Sequence, residues 1–228
     1  MKLKTFVLAV LLVSAASIHA QKSGIILRGG LNLANVTVSN DGNVDDAKAL
    51  ASFQAGVVGD IHLGSVVYLQ PGILFTGKGT KTQSGTEGST NWYRATSNPY
   101  YIEVPVNLVF KTPGAVKFFA GAGPYLGIGV AGKNKVEGTI GGVNFSSEKK
   151  IEWSNDDPTT LNNEEGAGFG IMRRFDYGLN GTAGIESKSL VFSVNYGLGL
   201  AKLQSGTNSS EDNNNKNRVL SFTLGIKL

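Results

Sequence analysis

The end of the chain constrains its fold most. In residues 218–228, Leu220, Phe222, Leu224, Ile226 and Leu228 share one parity, while Ser221, Thr223, Gly225 and Lys227 share the other. Successive side chains leave a strand on opposite sides, so alternation this long describes a strand with one apolar and one polar or small face. The segment before it repeats the pattern: Leu190, Phe192, Val194, Tyr196, Leu198 and Leu200 alternate with Ser193, Asn195, Gly197 and Gly199. Further segments of the same period begin at Ile25, Phe53, Val67, Tyr100, Phe118 and Phe175. That makes eight expected strands, most of about 10 residues, the length a tilted strand needs to cross a bilayer.

The connections alternate in length. Residues 64–65, 113–115 and 187–188 read as tight turns, whereas 34–48, 79–98, 133–168 and 204–216 are long and rich in Asn, Ser, Thr and Gly. Short turns at one end and long loops at the other is the plan of an outer-membrane barrel, turns periplasmic and loops outside. Within the longest loop, two alternating stretches flank Gly141 and Gly142. They read as a hairpin standing above the membrane, or as two more strands of a ten-strand barrel.

A soluble sandwich also alternates, so the inward parity has to decide. It collects Arg28, Asp60, His62, Gln70, Lys78, Glu103, Asn107, Lys111, Lys117, Arg174, Asp176, Glu186, Asn195 and Lys227. Eight long apolar faces in a soluble protein need helices or a second sheet to cover them, and no helical period accompanies the strands. Closure in lipid pairs every backbone group and leaves no edge. The expected fold is therefore all-β, a transmembrane antiparallel up-and-down β-barrel of about eight strands. A mean hydropathy of −0.03 agrees, because lipid-facing and lumen-facing residues cancel.

Export to that membrane needs a leader. Lys2 and Lys4 precede an apolar run from Phe6 to Val13, too short to span a bilayer, and small residues follow to Ala20. Residues 1–20 are expected to be a cleaved signal peptide and 21–228 the barrel domain, with cleavage after Ala16 as the alternative. Loss of Lys2 and Lys4 lowers the formal charge from +4 to +2, which is no footprint for nucleic acid. With no cysteine there is no lipid anchor, disulfide or thiolate metal site.

Eight strands leave a lumen that side chains fill. Counting up from the tight turns, Asp60, His62, Arg28, Gln70, Lys117 and Lys111 are expected to lie low. Glu103, Asp176, Arg174, Lys78, Tyr101 and Tyr125 are expected to lie high, with Arg174, Glu103, Asp176 and Lys78 in one inward charge network. Each layer mixes signs, as buried charges must. Inward glycines at 121, 123, 127 and 129 leave room for larger side chains across the lumen.

Several short motifs carry a family resemblance. They are Arg28-Gly-Gly-Leu-Asn-Leu-Ala-Asn35, Leu69-Gln-Pro71, Tyr101-Ile-Glu-Val-Pro-Val106, Gly121-Ala-Gly-Pro-Tyr-Leu-Gly127 and Arg173-Arg-Phe-Asp-Tyr-Gly-Leu179. In this order the chain resembles the PorT-like outer-membrane β-barrel proteins of Bacteroidota. The resemblance implies an eight-stranded OmpA/OmpX-like barrel in the bacterial outer membrane. It implies no reaction.

The residues offer little chemistry. One histidine, His62, follows the signal, and it sits beside a turn at the end opposite the loops. A barrel hydrolase or acyltransferase wants its histidine near the outer rim. Asp156–Asp157 and Glu164–Glu165 read as solvated loop charge before they read as a calcium site. No catalytic residue, metal or cofactor is expected. The expected partners are outer-membrane lipid and, during biogenesis, the barrel-assembly machinery. Trp92, Tyr93 and Trp153 fall in the long loops, where such aromatics anchor a partner or belt the membrane interface. Two functions remain: a non-enzymatic surface barrel whose loops meet partners, or a narrow porin or transport or secretion accessory barrel.

Overall fold

The computed structural model describes residues 23–37, 47–154, 171–203 and 216–228. The expected signal peptide and the two acidic loop pairs lie outside the described residues. The strands in chain order are β1 (Gly24–Thr37), β2 (Ala47–Lys48), β3 (Leu50–Gly64), β4 (Val67–Gly77), β5 (Thr80–Ser84), β6 (Trp92–Lys111), β7 (Lys117–Ile140), β8 (Val143–Lys150), β9 (Glu152–Trp153), β10 (Ile171–Met172), β11 (Phe175–Glu186), β12 (Leu190–Gly199) and β13 (Lys216–Lys227). No helix occurs among the described residues.

Strands β1, β3, β4, β6, β7, β11, β12 and β13 form a closed antiparallel ring, each paired with its chain neighbour in that series. The first and last strands close it, with Leu27 opposite Ile226 and Leu33 opposite Leu220. Strand β8 pairs with β7 and does not enter the ring, so the barrel has eight strands and not ten.

Parity decides which way each side chain points. Along β6, from Tyr101 to Lys111, buried and exposed residues alternate without a break. The exposed set is apolar, with Leu31 at 67%, Ile73 at 62% and Leu224 at 58%. The buried set holds Asp60, Lys78, Glu103, Lys111, Asp176 and Glu186. This inverts a water-soluble core. Leaving a Leu, Ile or Phe in water forfeits about 1.5–3 kcal/mol per side chain relative to burial. A whole ring of them is stable only where the surroundings are themselves apolar.

Strands β6 and β7, of 20 and 24 residues, are about twice the 9–11 residues a membrane crossing needs. Their far halves run on past the barrel. Ser84 pairs with Tyr93 on one side of β6, and Trp92 pairs with Thr139 on the other. The β7–β8 hairpin turns at Gly141 and Gly142, with φ +59° and +83°. Two successive left-handed residues are what a two-residue primed turn requires, and glycine adopts them without strain. Residues 79–98 and 133–168, expected as loops, thus contain β5, the far parts of β6 and β7, all of β8 and β9. The β7–β8 hairpin agrees with the alternation read on either side of Gly141 and Gly142; the rest reads as loop because both faces of this sheet meet water, so no apolar face marks the period.

The opposite end is compact. Residues 65–66, 112–116 and 187–189 are the connections there.

Candidate functional site

Inside the barrel the charges sort into two groups. Near the tight turns, Lys111 Nζ lies 2.7 Å from the Asp60 carboxylate and also contacts Glu186. Lys227 Nζ bridges the same two acids, at 2.8 Å to Asp60 and 2.6 Å to Glu186. Gln70 Nε2 donates to Asp60 at 3.0 Å. The Tyr68 ring lies 4.4 Å from Lys111 Nζ. Two cations meet two carboxylates here, so the group is neutral as a whole, which buried charge demands.

The second group lies toward the far end. Lys78 Nζ is 2.6 Å from Glu103 and 2.8 Å from Asp176. The Tyr125 hydroxyl donates to Asp176 at 3.2 Å, and Asn217 Nδ2 donates to it at 3.1 Å. Asn180 Nδ2 donates to Glu103 at 3.4 Å. Arg28, expected in the low group, stands instead beside this one, lining a cavity with Lys78 and Glu103, its Nη1 3.5 Å from the Asn195 side-chain oxygen. Arg28, Lys78, Glu103, Asn107 and Asn195 line a cavity of about 30 Å³, room for a water or two.

Of the four residues expected in one network, Lys78, Glu103 and Asp176 meet and Arg174 does not. Arg174 is exposed, on the bend just before β11, and its carbonyl accepts the Gly129 N–H at 2.7 Å. Parity was counted through Arg174 as though the strand already ran there. The bend ends that count. Glu186 and Lys227 complete the low group. Their signal was inward parity at the two strand ends nearest the turns. His62 takes no part: its Nε2 lies 3.3 Å from the Ser65 carbonyl, and its ring packs edge-on against Tyr68. Lys117 has its Nζ 5.8 Å from the Tyr68 ring.

The far mouth is capped. Val36, Ile151, Met172 and Leu203 form an apolar cluster with Trp153 packed against it. The Trp153 ring meets Tyr101 edge-on, centroids 5.6 Å apart. It lies over Gly129, where any Cβ would collide with the indole. Trp153 was expected on an exposed loop. It turns inward instead, because β9 pairs with β10 across the mouth.

Beyond the mouth the projecting sheet has two different faces. On one, the Trp92 Nε1–H donates to Thr139 at 3.0 Å, and Arg94 joins Glu87, Gln83 and Glu137. Lys133 pairs with Glu148 at 2.6 Å and Lys135 with Glu137 at 2.5 Å. The hydrogen bond to Glu87 raises the Arg94 pKa, and that to Glu148 raises Lys133. Lys135 holds Glu137 below the usual carboxylate value, and Lys133 does the same to Glu148. On the other face Tyr93 and Phe145 flank Gly138, and Ile140 and Val143 stand exposed at the tip. Every residue of β8 is exposed, and among the described residues β8 pairs only with β7.

A filled, charge-lined lumen inside an apolar ring is the architecture of a membrane barrel. A profile of the "Outer membrane protein beta-barrel domain" family matches residues 19–205.

The chain belongs to that family.

It is an outer-membrane β-barrel protein, and the inverted burial describes a barrel in its own solvent. Among solved structures it is similar to Ail, the attachment invasion locus protein of Yersinia pestis, at 14% identity and a TM-score of 0.40, with 90% of this chain and 97% of that one covered. Neisserial surface protein A is similar at 12% identity and a TM-score of 0.42, with 91% and 100% covered. The N-terminal β-barrel domain of Pseudomonas aeruginosa OprF is similar at 7% identity and a TM-score of 0.31, with 90% and 99% covered. No curated protein matches. Among the described residues no group of three or more His, Cys, Asp or Glu side chains is placed to hold a metal ion.

Proposed function

We propose that this is a non-enzymatic surface barrel of the PorT-like kind found in Bacteroidota, exported by a signal peptide at residues 1–20, whose projecting sheet docks an extracellular partner. One observation carries the reading. Strands β5 to β8 continue well past the membrane-crossing segments and present Tyr93, Phe145, Ile140 and Val143 beside the edge of β8, which pairs only with β7 among the described residues. Short turns of such barrels face the periplasm, which puts the sheet outside the cell. Exposed aromatics on a rigid frame are common interface anchors, and an open edge offers a template for strand addition.

The lumen supports no pore. Lys78, Lys111, Lys227 and their acids fill it, and the mouth is capped by Trp153 and its neighbours. Planar-bilayer recording of the full protein is therefore expected to show no porin-scale conductance. Such a conductance would favour the transport or secretion reading. For docking, a photo-crosslinking side chain placed at Phe145 on living cells is expected to give a discrete adduct. The same probe at lipid-facing Leu190 serves as control. No adduct at Phe145, or the same adduct from both sites, would remove the docking role.

A further inference from the structure

The ring closes between its first and last strands. β1 and β13 pair from Ile26 opposite Lys227 to Thr37 opposite Lys216. A contact between chain ends forms after local hairpins, because the loop between them must be closed first. The last two residues straddle this closure. The Lys227 N–H donates to the Ser189 carbonyl at 2.9 Å on one side, and the Leu228 N–H donates to the Ile25 carbonyl at 2.8 Å on the other.

Inside the barrel one side chain crosses the closure. The Lys227 stem passes over Gly24, the first residue of β1, where a Cβ would come 3.0 Å from Lys227 Cε and 3.6 Å from its Cγ. Opposite Gly24 on β3 stands Asp60. Lys227 Nζ reaches it at 2.8 Å while holding Glu186 of β11 at 2.6 Å. Among the described residues Lys227–Asp60 is the one lumen ion pair that ties β13 to a strand on the N-terminal side of the closure. The Lys227 side chain is 18% exposed, whereas those of Lys111, Asp60 and Glu186 are almost fully enclosed, so it is the member that can be seated last. Lys117 stands opposite Glu186 in the β7–β11 register, yet its Nζ lies beside the Tyr68 ring and no ion pair joins the two.

We infer that Lys227 is the closure latch of the barrel. Its ammonium seats when β13 meets β1, ties β13 to β3 across β1, and brings the two acids to neutrality. Until then β3, β6 and β11 hold two carboxylates, Asp60 and Glu186, against the single ammonium of Lys111. An enclosed charge without its partner is strongly unfavourable, so the low group is complete only in the closed ring. The latch also reads register. A one-residue slip of β13 turns Lys227 toward lipid, and a two-residue slip carries it about 7 Å along the strand. Either slip takes the second cation away from the acids.

The test refolds the full chain from urea into phosphatidylcholine vesicles. Closure is timed by the compact band that unheated barrels give on SDS gels, and the seam is read by amide hydrogen exchange. In K227Q, closure is expected to slow by roughly tenfold or more. Exchange should rise at Leu27 and Gly225 beside the closure, while Phe110 and Ala120, paired in the wall between β6 and β7, hold theirs. K227R should close as wild type does. K117Q removes a cation at the same end that contacts no acid, and it should match wild type too. Gly24→Leu keeps every charge but fills the path of the Lys227 stem, and it should delay closure as K227Q does. If K227Q never gives a compact band, K227R and Gly24→Leu carry the test. Closure of K227Q at the wild-type rate, an equal delay in K117Q, or equal loosening of seam and wall would overturn the inference. A K227R barrel that fails to close, or a Gly24→Leu barrel that closes without delay, would overturn it as well.

Discussion

Strands β6 and β7 run through both the barrel and the projecting sheet, so one pair of strands shows what each setting demands. Between Tyr101 and Lys111 β6 alternates strictly between buried and exposed. Between Trp92 and Asn98 the alternation fades, and every residue but Ser97 is half-buried or exposed. The ion pairs follow the same division. Lys78–Asp176 and Lys111–Asp60 are almost fully enclosed, while Lys133–Glu148 stands in solvent. The hydrogen-bonded backbone is alike in the two regions. What differs is the surroundings, and they set how much each side chain matters.

The sharpest way to separate the regions is to orphan a charge. Asp176→Ala leaves Lys78 with Glu103 alone and strips a partner from Tyr125 and Asn217. Removing one partner of a buried pair costs about 3–5 kcal/mol. Urea unfolding of the vesicle-embedded protein, followed by circular dichroism, is expected to show a loss in that range. A loss below about 1 kcal/mol, the range of an exposed pair, would erase the distinction between lumen and sheet.

The outward face gives the next effect. Leu224 is 58% exposed in the absence of lipid, pairs with Phe192 and Gly29, and is the middle one of the lipid-facing residues Leu220, Phe222, Leu224, Ile226 and Leu228. Leu224→Arg is expected to cost about 2–4 kcal/mol in a bilayer, as for arginine near the midplane of a barrel. The same unfolding measurement checks it. An arginine tolerated at no cost would mean that this face meets water.

Trp153 joins the two regions. Its indole rests on Gly129 and Tyr101 at the mouth while β9 continues from the end of β8. Trp153→Ala is expected to cost about 2 kcal/mol, roughly half of a fully buried aromatic truncation. Hydrogen exchange should rise at Tyr101, Gly129 and Met172 and stay unchanged at Asp60 and Lys111. Faster exchange at the turn end would show that the cap and the low charge group are coupled.

These expectations also mark how far the residues speak for themselves. The eight ring strands were legible because lipid outside and charge inside force a long period of two, which only the shorter stretches about Gly141 and Gly142 imitate. Three places were not. Arg174 obeys the parity of β11 but lies on a bend, and a bend at a strand end leaves no trace in alternation. Residues 79–98 look like polar loop because a sheet wet on both faces needs no apolar stripe, whereas the β7–β8 hairpin was legible in the alternation around Gly141 and Gly142. Trp153 looked like a loop aromatic because its burial depends on Ile171 and Met172, a pairing with no local signal.

The smallest effect belongs to the exposed pairs of the projecting sheet, and pH is the finest way to read it. Hydrogen bonds from Lys135 and Lys133 lower the Glu137 and Glu148 pKa values below the ordinary 4.5. A carboxylate depressed on folding adds stability above its unfolded pKa and loses it as pH falls through the folded one. The Lys133 pKa is raised above 10.5 by Glu148, so its contribution is complete below 10.5 and lost as pH rises through the folded value. The β7–β8 hairpin should therefore be tightest between about pH 4.5 and 10.5. Solvent screens these pairs, so global unfolding should not register their loss. Amide exchange, corrected for its intrinsic pH dependence, is expected to show lower protection at Asn144, Ser146 and Glu148 at pH 3 than at pH 7. Val104 and Leu108 in the barrel wall should hold theirs. Protection in β8 that does not change on acidification would mean that backbone pairing alone holds the hairpin, and that its charges serve the surface and not the fold.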